Sequence, residues 1–308
     1  MSRLESSLSQ SKQNNKTAHS PLDQALLLID NGEYKLAQTM LRTVLNKDPQ
    51  NAKAMRWLGY CFDQAKDYKN ALVCYKQWNK FEPCEQSYFQ LGMAHLNVLN
   101  FNLARENLQQ ALGCIDYESP NLFDIYKHLG NLALRFGDIE SAEENYNRAY
   151  TLSPHSDALI VNMGTLEVQK GDWGQAGEYF RTAIELNQQN DNAWIGLAMS
   201  YRSISDHELA YGAVEKGLDI NPTNLVGLRL LIEWAFTDLN YGGAIERLKT
   251  YLEKSSHDED MSFCLASLLY KAGHIRDASI EIQRARELAP QREDVIQLEM
   301  LLQKQAEL

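Results

Sequence analysis

His207 and Glu208 open an H-E-x-x run, the beginning of a zinc-binding helix motif. That motif needs a second histidine four residues after the first, so that two imidazoles share one helical face. Tyr211 stands at that place, so the run reads as an ordinary turn leading into a helix. The phosphate-cradling G-x-x-x-x-G-K-[ST] and the nucleophile elbow G-x-S-x-G are both absent. Glu143 and Glu144 are paired carboxylates, but on a helix face expected to be wet. The seven histidines are dispersed. The five cysteines, Cys61, Cys74, Cys84, Cys114 and Cys264, form no C-x-x-C pair. A scattered, odd set reads as reduced thiols in a cytoplasm, filling small spaces in a core. These residues ask for no enzyme, no cofactor and no metal.

The charge narrows the partners. Acidic residues outnumber basic ones, 41 to 30, for a formal net charge of -11. General nucleic-acid binding needs a basic face to release counterions, so nucleic acid is not expected. No apolar run of about eighteen residues is present, so no membrane insertion is expected. The first twenty residues are polar and lack the apolar core of a signal peptide.

What the chain does contain is a period. Ala142, Tyr146, Ala149 and Pro154 recur thirty-four residues later as Ala176, Phe180 and Ala183. The first alanine of each set falls at 37, 71, 104, 142, 176, 210, 244 and 278. Self-similarity at such a period marks a repeat array, whose length counts stacked units rather than globular domains. Within a unit, apolar residues recur at three- and four-residue spacing, as at Tyr126, Leu129, Ala133 and Phe136, then Ile139, Ala142, Tyr146 and Ala149. That is the period of amphipathic helices.

Each unit is therefore predicted to be helix A, a tight turn and helix B. The fifteenth place holds Gly32, Gly137, Gly171 and Gly273, suited to the left-handed residue that closes helix A. Asp138 and Asp172 follow and can cap helix B. The eighth place is small, as in Gly59, Gly92, Gly130, Gly164, Ala25, Ala198 and Ala266, so the two helices can approach closely. The twenty-fourth place fills the wedge beside it. In the seventh unit Ile232 takes the small place and Tyr251 is large further on, which predicts splayed helices or a shifted register.

These marks resemble the tetratricopeptide repeat, and Trp194, Leu197, Tyr201, Ala210 and Pro222 follow its W…L…Y…A…P pattern closely. The resemblance implies an all-α solenoid of helix–turn–helix hairpins. It further implies a right-handed superhelix with A helices lining a concave groove, and a role in holding peptides or proteins. The organisation expected is a polar, disordered tail over 1–17, three units over 18–118 and a loop insertion over 119–122. Five units over 123–292 and a capping helix over 293–308 follow. The insertion, near Asp116 to Leu122, is expected to bend the stack between the third and fourth units.

Places two, five, nine, twelve and thirteen of each unit are expected to face the groove. They carry the cations Lys53, Arg56, Lys127, Arg135, Arg202, Arg229 and Lys271, against the acids Asp30, Asp63, Asp124, Glu233 and Asp260. A groove less acidic than the rest of the chain suits an acidic or carboxylate-bearing partner. Apolar anchors are expected at Phe89, Met93, Ile195, Met199, Phe263 and Tyr270. In co-chaperones that this chain resembles, a carboxylate clamp grips a partner's C-terminal aspartate. Lys127, Asn131 and Asn162 match its first elements, but Asn192 and Gly196 replace its last lysine and arginine. The resemblance then implies a polar grip through Asn131 and Asn162, not a full clamp. The expected function is a non-catalytic scaffold or adaptor. The alternatives are a secretion or assembly chaperone, and a regulatory subunit or homodimer working through the convex face or the last units.

Overall fold

The structure, a computed structural model, describes residues 20–115 and 119–306. The expected tail over 1–17 lies outside the described residues. Among the described residues there are seventeen helices and no strand. Eight hairpins run in order. They are α1 (Pro21–Asp30) with α2 (Tyr34–Lys47), α3 (Ala52–Gln64) with α4 (Tyr68–Phe81), α5 (Glu85–Asn97) with α6 (Phe101–Gly113), and α7 (Leu122–Arg135) with α8 (Ile139–Leu152). Then come α9 (Asp157–Lys170) with α10 (Trp173–Leu186), α11 (Asp191–Ser203) with α12 (His207–Ile220), α13 (Leu225–Asp238) with α14 (Gly242–Lys254), and α15 (Glu259–Lys271) with α16 (Ile275–Leu288). A last helix, α17, spans Glu293–Ala306. Odd-numbered helices are the A helices.

The A-to-B turn has one backbone solution throughout. Its residue is left-handed in every hairpin: Gly32, Gly137, Gly171 and Gly273 as expected, but also Lys66, Leu99, Ser205 and Leu239. The turn geometry forces these four side chains into a region that costs an L-residue about 1–2 kcal/mol. At Gly137 the following Asp138 N–H reaches back to the Ala133 carbonyl at 2.9 Å, closing helix α7. Asp138 then caps α8 by accepting from Ser141 N–H at 3.1 Å, and Asp172 caps α10 from Gln175 N–H at 2.9 Å.

Packing inside a hairpin follows the small and large places. A methyl group on Gly59 would lie 2.7 Å from Tyr75 Cε1, on Gly92 2.9 Å from Leu108 Cγ, and on Gly164 2.8 Å from Phe180 Cε1. Where the small place is alanine, the facing residue is smaller than tyrosine: Ala25 with Leu41, Ala198 with Val214, Ala266 with Ile282. Both partners are buried in each case. A small residue on helix A thus lets a larger one on helix B bury against it at close-packed density.

Two compact units emerge, one ending at Leu152 and one beginning at Ser153. Each holds four hairpins, so the division does not fall at the inserted loop. Asn121 Nδ2 donates to Glu85 Oε1 at 2.7 Å across that loop, and Ile125 enters one core cluster with Phe89, Leu108 and Leu129. The insertion therefore leaves the packing between third and fourth hairpins unbroken.

In the second unit, asparagines tie successive hairpins. Asp157 accepts from Asn187 Nδ2 at 2.6 Å and Asn190 Nδ2 at 2.9 Å. One repeat later, Asp191 accepts from Asn221 Nδ2 at 2.7 Å and Asn224 Nδ2 at 2.8 Å. The seventh hairpin is splayed as Ile232 predicts: α13 and α14 share much less close packing than the other A–B pairs. Tyr251 is buried, its hydroxyl donating to Asp258 at 2.7 Å. Val295, Leu298 and Leu302 of α17 bury against this core, while Met300 and Leu301 stay exposed.

Candidate functional site

Consecutive A helices approach one another directly, as α1 with α3, α9 with α11 and α13 with α15, while B helices meet mainly their own and the following A helix. Within each compact unit the A helices thus share one face. The nominated residues fare unevenly there.

Two apolar anchors are corrected. Phe89 is buried among Ala104, Leu108 and Ile125. Ile195 is 3% exposed, its Cδ1 within 3 Å of where methyl groups on Gly217 and Gly227 would stand, so it fills the gap between two neighbouring helices. Neither can reach a partner. Met93, Met199, Phe263 and Tyr270 are half-buried, and Phe263 carries the Arg292 guanidinium 5.1 Å above its ring.

Several polar residues have structural partners. Arg202, on α11, forks onto Asp238 at the end of α13, at 2.6 and 2.8 Å, and lies 5.2 Å over Trp234. Tyr211 donates to the same carboxylate at 3.1 Å, so Asp238 is held well below the usual carboxylate range, chiefly by Arg202. His207 Nδ1 lies 3.4 Å from Asp238; the H-E run belongs to this cluster. Lys127 pairs with Asp124 at 2.6 Å. The Oδ1 of Asn131 accepts from Tyr146 Oη at 2.8 Å. Asn131 lies in the first unit and Asn162 in the second. At Gly196, the place of the clamp's arginine, a side chain would collide with the Phe180 ring.

Other nominated residues stay open. Arg229 is exposed, as are Lys53 and Lys271. Arg56 lies on α3 with its guanidinium 5.0 Å over Trp57 and 5.4 Å over Trp78, and among the described residues it has no acceptor. Trp57 packs edge-on to Tyr60 at 5.7 Å, and Tyr60 to Tyr34 at 6.2 Å. Arg135 is exposed, stacked 3.8 Å over Phe101. Sequence reasoning passed over this aromatic row, though Arg56 and Tyr60 sit four apart on one helical face. Asp63 is half-buried with one oxygen accepting from Tyr75 Oη at 2.7 Å, and burial pushes its carboxyl up.

Among the described residues no group of three or more His, Cys, Asp or Glu side chains is placed to hold a metal. No described helix is long and apolar enough to cross a membrane.

The fold and this face define a class: stacked helical hairpins that offer an extended surface of A helices. Family profiles described as "Tetratricopeptide repeat" match residues 22–76 and 161–224, and a further one matches 123–156. The chain is a tetratricopeptide-repeat protein, an all-α solenoid. A tetratricopeptide repeat protein from Parabacteroides merdae ATCC 43184 shares the fold, with a TM-score of 0.60 over 92% of this chain and 97% of that one at 14% identity. The chain is 21% identical to human protein O-mannosyl-transferase TMTC3 over 272 residues, which is 83% of this chain. It is 26% identical to anaphase-promoting complex subunit 3 of Schizosaccharomyces pombe over 217 residues, 67% of this chain. It spans about 30% of the length of the former and 31% of the latter.

Proposed function

We propose that the chain is a non-catalytic scaffold that holds a segment of a partner protein against the A-helix face of a compact unit. One observation carries this reading: Arg56 on α3 lies over the indoles of Trp57 on α3 and Trp78 on α4, with its N–H donors unmatched by any described acceptor. Stacking fixes the guanidinium plane without using its donors, which leaves them for a carboxylate or a backbone carbonyl. Half-buried Tyr60 on the same helix and Met93 on the next A helix add apolar side chains to the A helices. The subunit role printed in the name of one relative accords with a scaffold. The transferase activity in the name of TMTC3 stays with that protein, of which this chain covers less than a third.

Affinity capture with wild-type protein and with Arg56→Glu and Met93→Glu variants tests it. Both variants are expected to lose the captured partner at least tenfold. Undiminished capture by folded variants would overturn the A-face reading.

A second reading has its own support. In the seventh hairpin Leu225 and Val226 at the start of α13, and Phe236 and Leu239 at and after its end, are exposed. Exposed apolar side chains of this size suit self-association through the last hairpins. Light scattering decides: a discrete dimer lost on Val226→Glu supports it, and a monomer at all concentrations sinks it.

A further inference from the structure

The arginines of the two compact units are used differently. In the second unit, six of the eight hold carboxylates: Arg181, Arg202, Arg247, Arg284, Arg286 and Arg292. In the first unit only Arg148 does so among the five described. The other four, Arg42, Arg56, Arg105 and Arg135, lie over aromatic rings and have no ion pair among the described residues. In a chain with 41 acidic residues, four unmatched guanidinia in one unit need a reason.

Two of the four form a reciprocal pair. Arg135, at the end of α7, lies 3.8 Å over Phe101 at the start of α6. Arg105, one turn further along α6, lies 4.5 Å over Phe136, the residue after Arg135. Each helix thus lends the other a phenyl platform for a guanidinium. Arg105 also lines a recess of about 240 Å³ with Gln109, Tyr126, Ser141 and Arg148. Of the acids lining this recess, Asp138 caps α8 and feels the Arg105 charge without an ion pair, and Glu144 holds Arg148 at 2.6 Å.

We propose that Arg105 and Arg135 form a docking station for an acidic segment, rich in glutamate or aspartate, of a partner protein. A stacked guanidinium has already given up much of its side-chain freedom, so it loses little more on forming a bidentate bond with a carboxylate. The two forks sit on different helices and different rings. They match carboxylates spaced along a polypeptide better than one compact dianion. The station lies where the end of an A helix meets the preceding B helix, so it does not rest on the A-face reading of Arg56.

Fluorescence anisotropy with a fluorescein-labelled oligoglutamate peptide at low salt tests the proposal on the full chain. Wild-type protein is expected to bind, more weakly as salt rises. Arg105→Gln with Arg135→Gln should lower affinity at least tenfold, whereas Arg276→Gln, at an exposed arginine of the second unit, should change it less than twofold. Arg105→Lys with Arg135→Lys keeps the charge and the fold but loses the fork, and should still lose several-fold. The proposal is overturned if oligoglutamate does not bind, if the glutamine pair binds as the wild type does, or if Arg276→Gln is as damaging.

Discussion

Gly59 and Tyr75 occupy one volume: the place where a methyl group on Gly59 would stand is 2.7 Å from the edge of the Tyr75 ring. The ring cannot swing away, because it is 2% exposed and its hydroxyl is bonded to Asp63. Alanine in a helix is ordinarily better than glycine by about 1 kcal/mol. Overpacking a closed site costs about 1–3 kcal/mol, and it should prevail here. Gly59→Ala is therefore expected to lower stability in urea unfolding. Adding Tyr75→Leu, which reproduces the natural Ala25–Leu41 pair, should cost less than the two single changes summed.

The left-handed turn residues give the opposite sign. Leu99 sits at φ 61 and is largely exposed, so its side chain gains nothing that offsets its backbone conformation. Leu99→Gly should raise stability by about 1 kcal/mol. Gly137→Ala, at φ 75, should lower it by a similar amount. Thermal melts of the two variants check both signs.

The regular part of this architecture was legible in the chain. The alanines thirty-four apart set the hairpins, and Ile232 announced the splay. The site was less so, because exposure depends on neighbours that periodicity does not name. Ile195 sits at a place that faces the groove in register, yet Gly217 and Gly227 leave a gap that draws it inward. Arg202 looked like a free cation until α13 brought Asp238 to it from thirty-six residues away. The same holds for the left-handed Lys66, Leu99 and Ser205, where turn geometry overrides residue preference.

Acid should loosen the first unit. Burial pushes the imidazole of His128 down to about 4, and that of His95 is lowered for the same reason. The unfolded chain, with histidines near 6.5, then binds more protons than the folded one between those values. Stability is full above about pH 6.5 and is lost as pH falls toward 4. His128→Gln should flatten that slope in pH-dependent chemical unfolding, and an unchanged slope would show that His128 is not responsible.

Breaking the Arg202–Asp238 fork should matter more than a surface pair does. Both side chains are less than a fifth exposed, and the carboxylate also takes a bond from Tyr211. Asp238→Asn is expected to cost about 1.5–3 kcal/mol. Arg202→Lys should recover little of it, since one ammonium cannot span both oxygens. Urea titrations of the two variants measure these costs.

The claim that the A-helix face receives a partner is tested most directly by site-specific photo-crosslinking in the source cell. A photo-reactive residue is placed at Lys53 or Asn97, exposed on A helices, and in parallel at Lys69 or Val73, exposed on the B helix α4. The account predicts a discrete crosslinked polypeptide from the A-helix positions that disappears with Arg56→Glu, and none from the B-helix positions. Crosslinks confined to Lys69 and Val73 would contradict it.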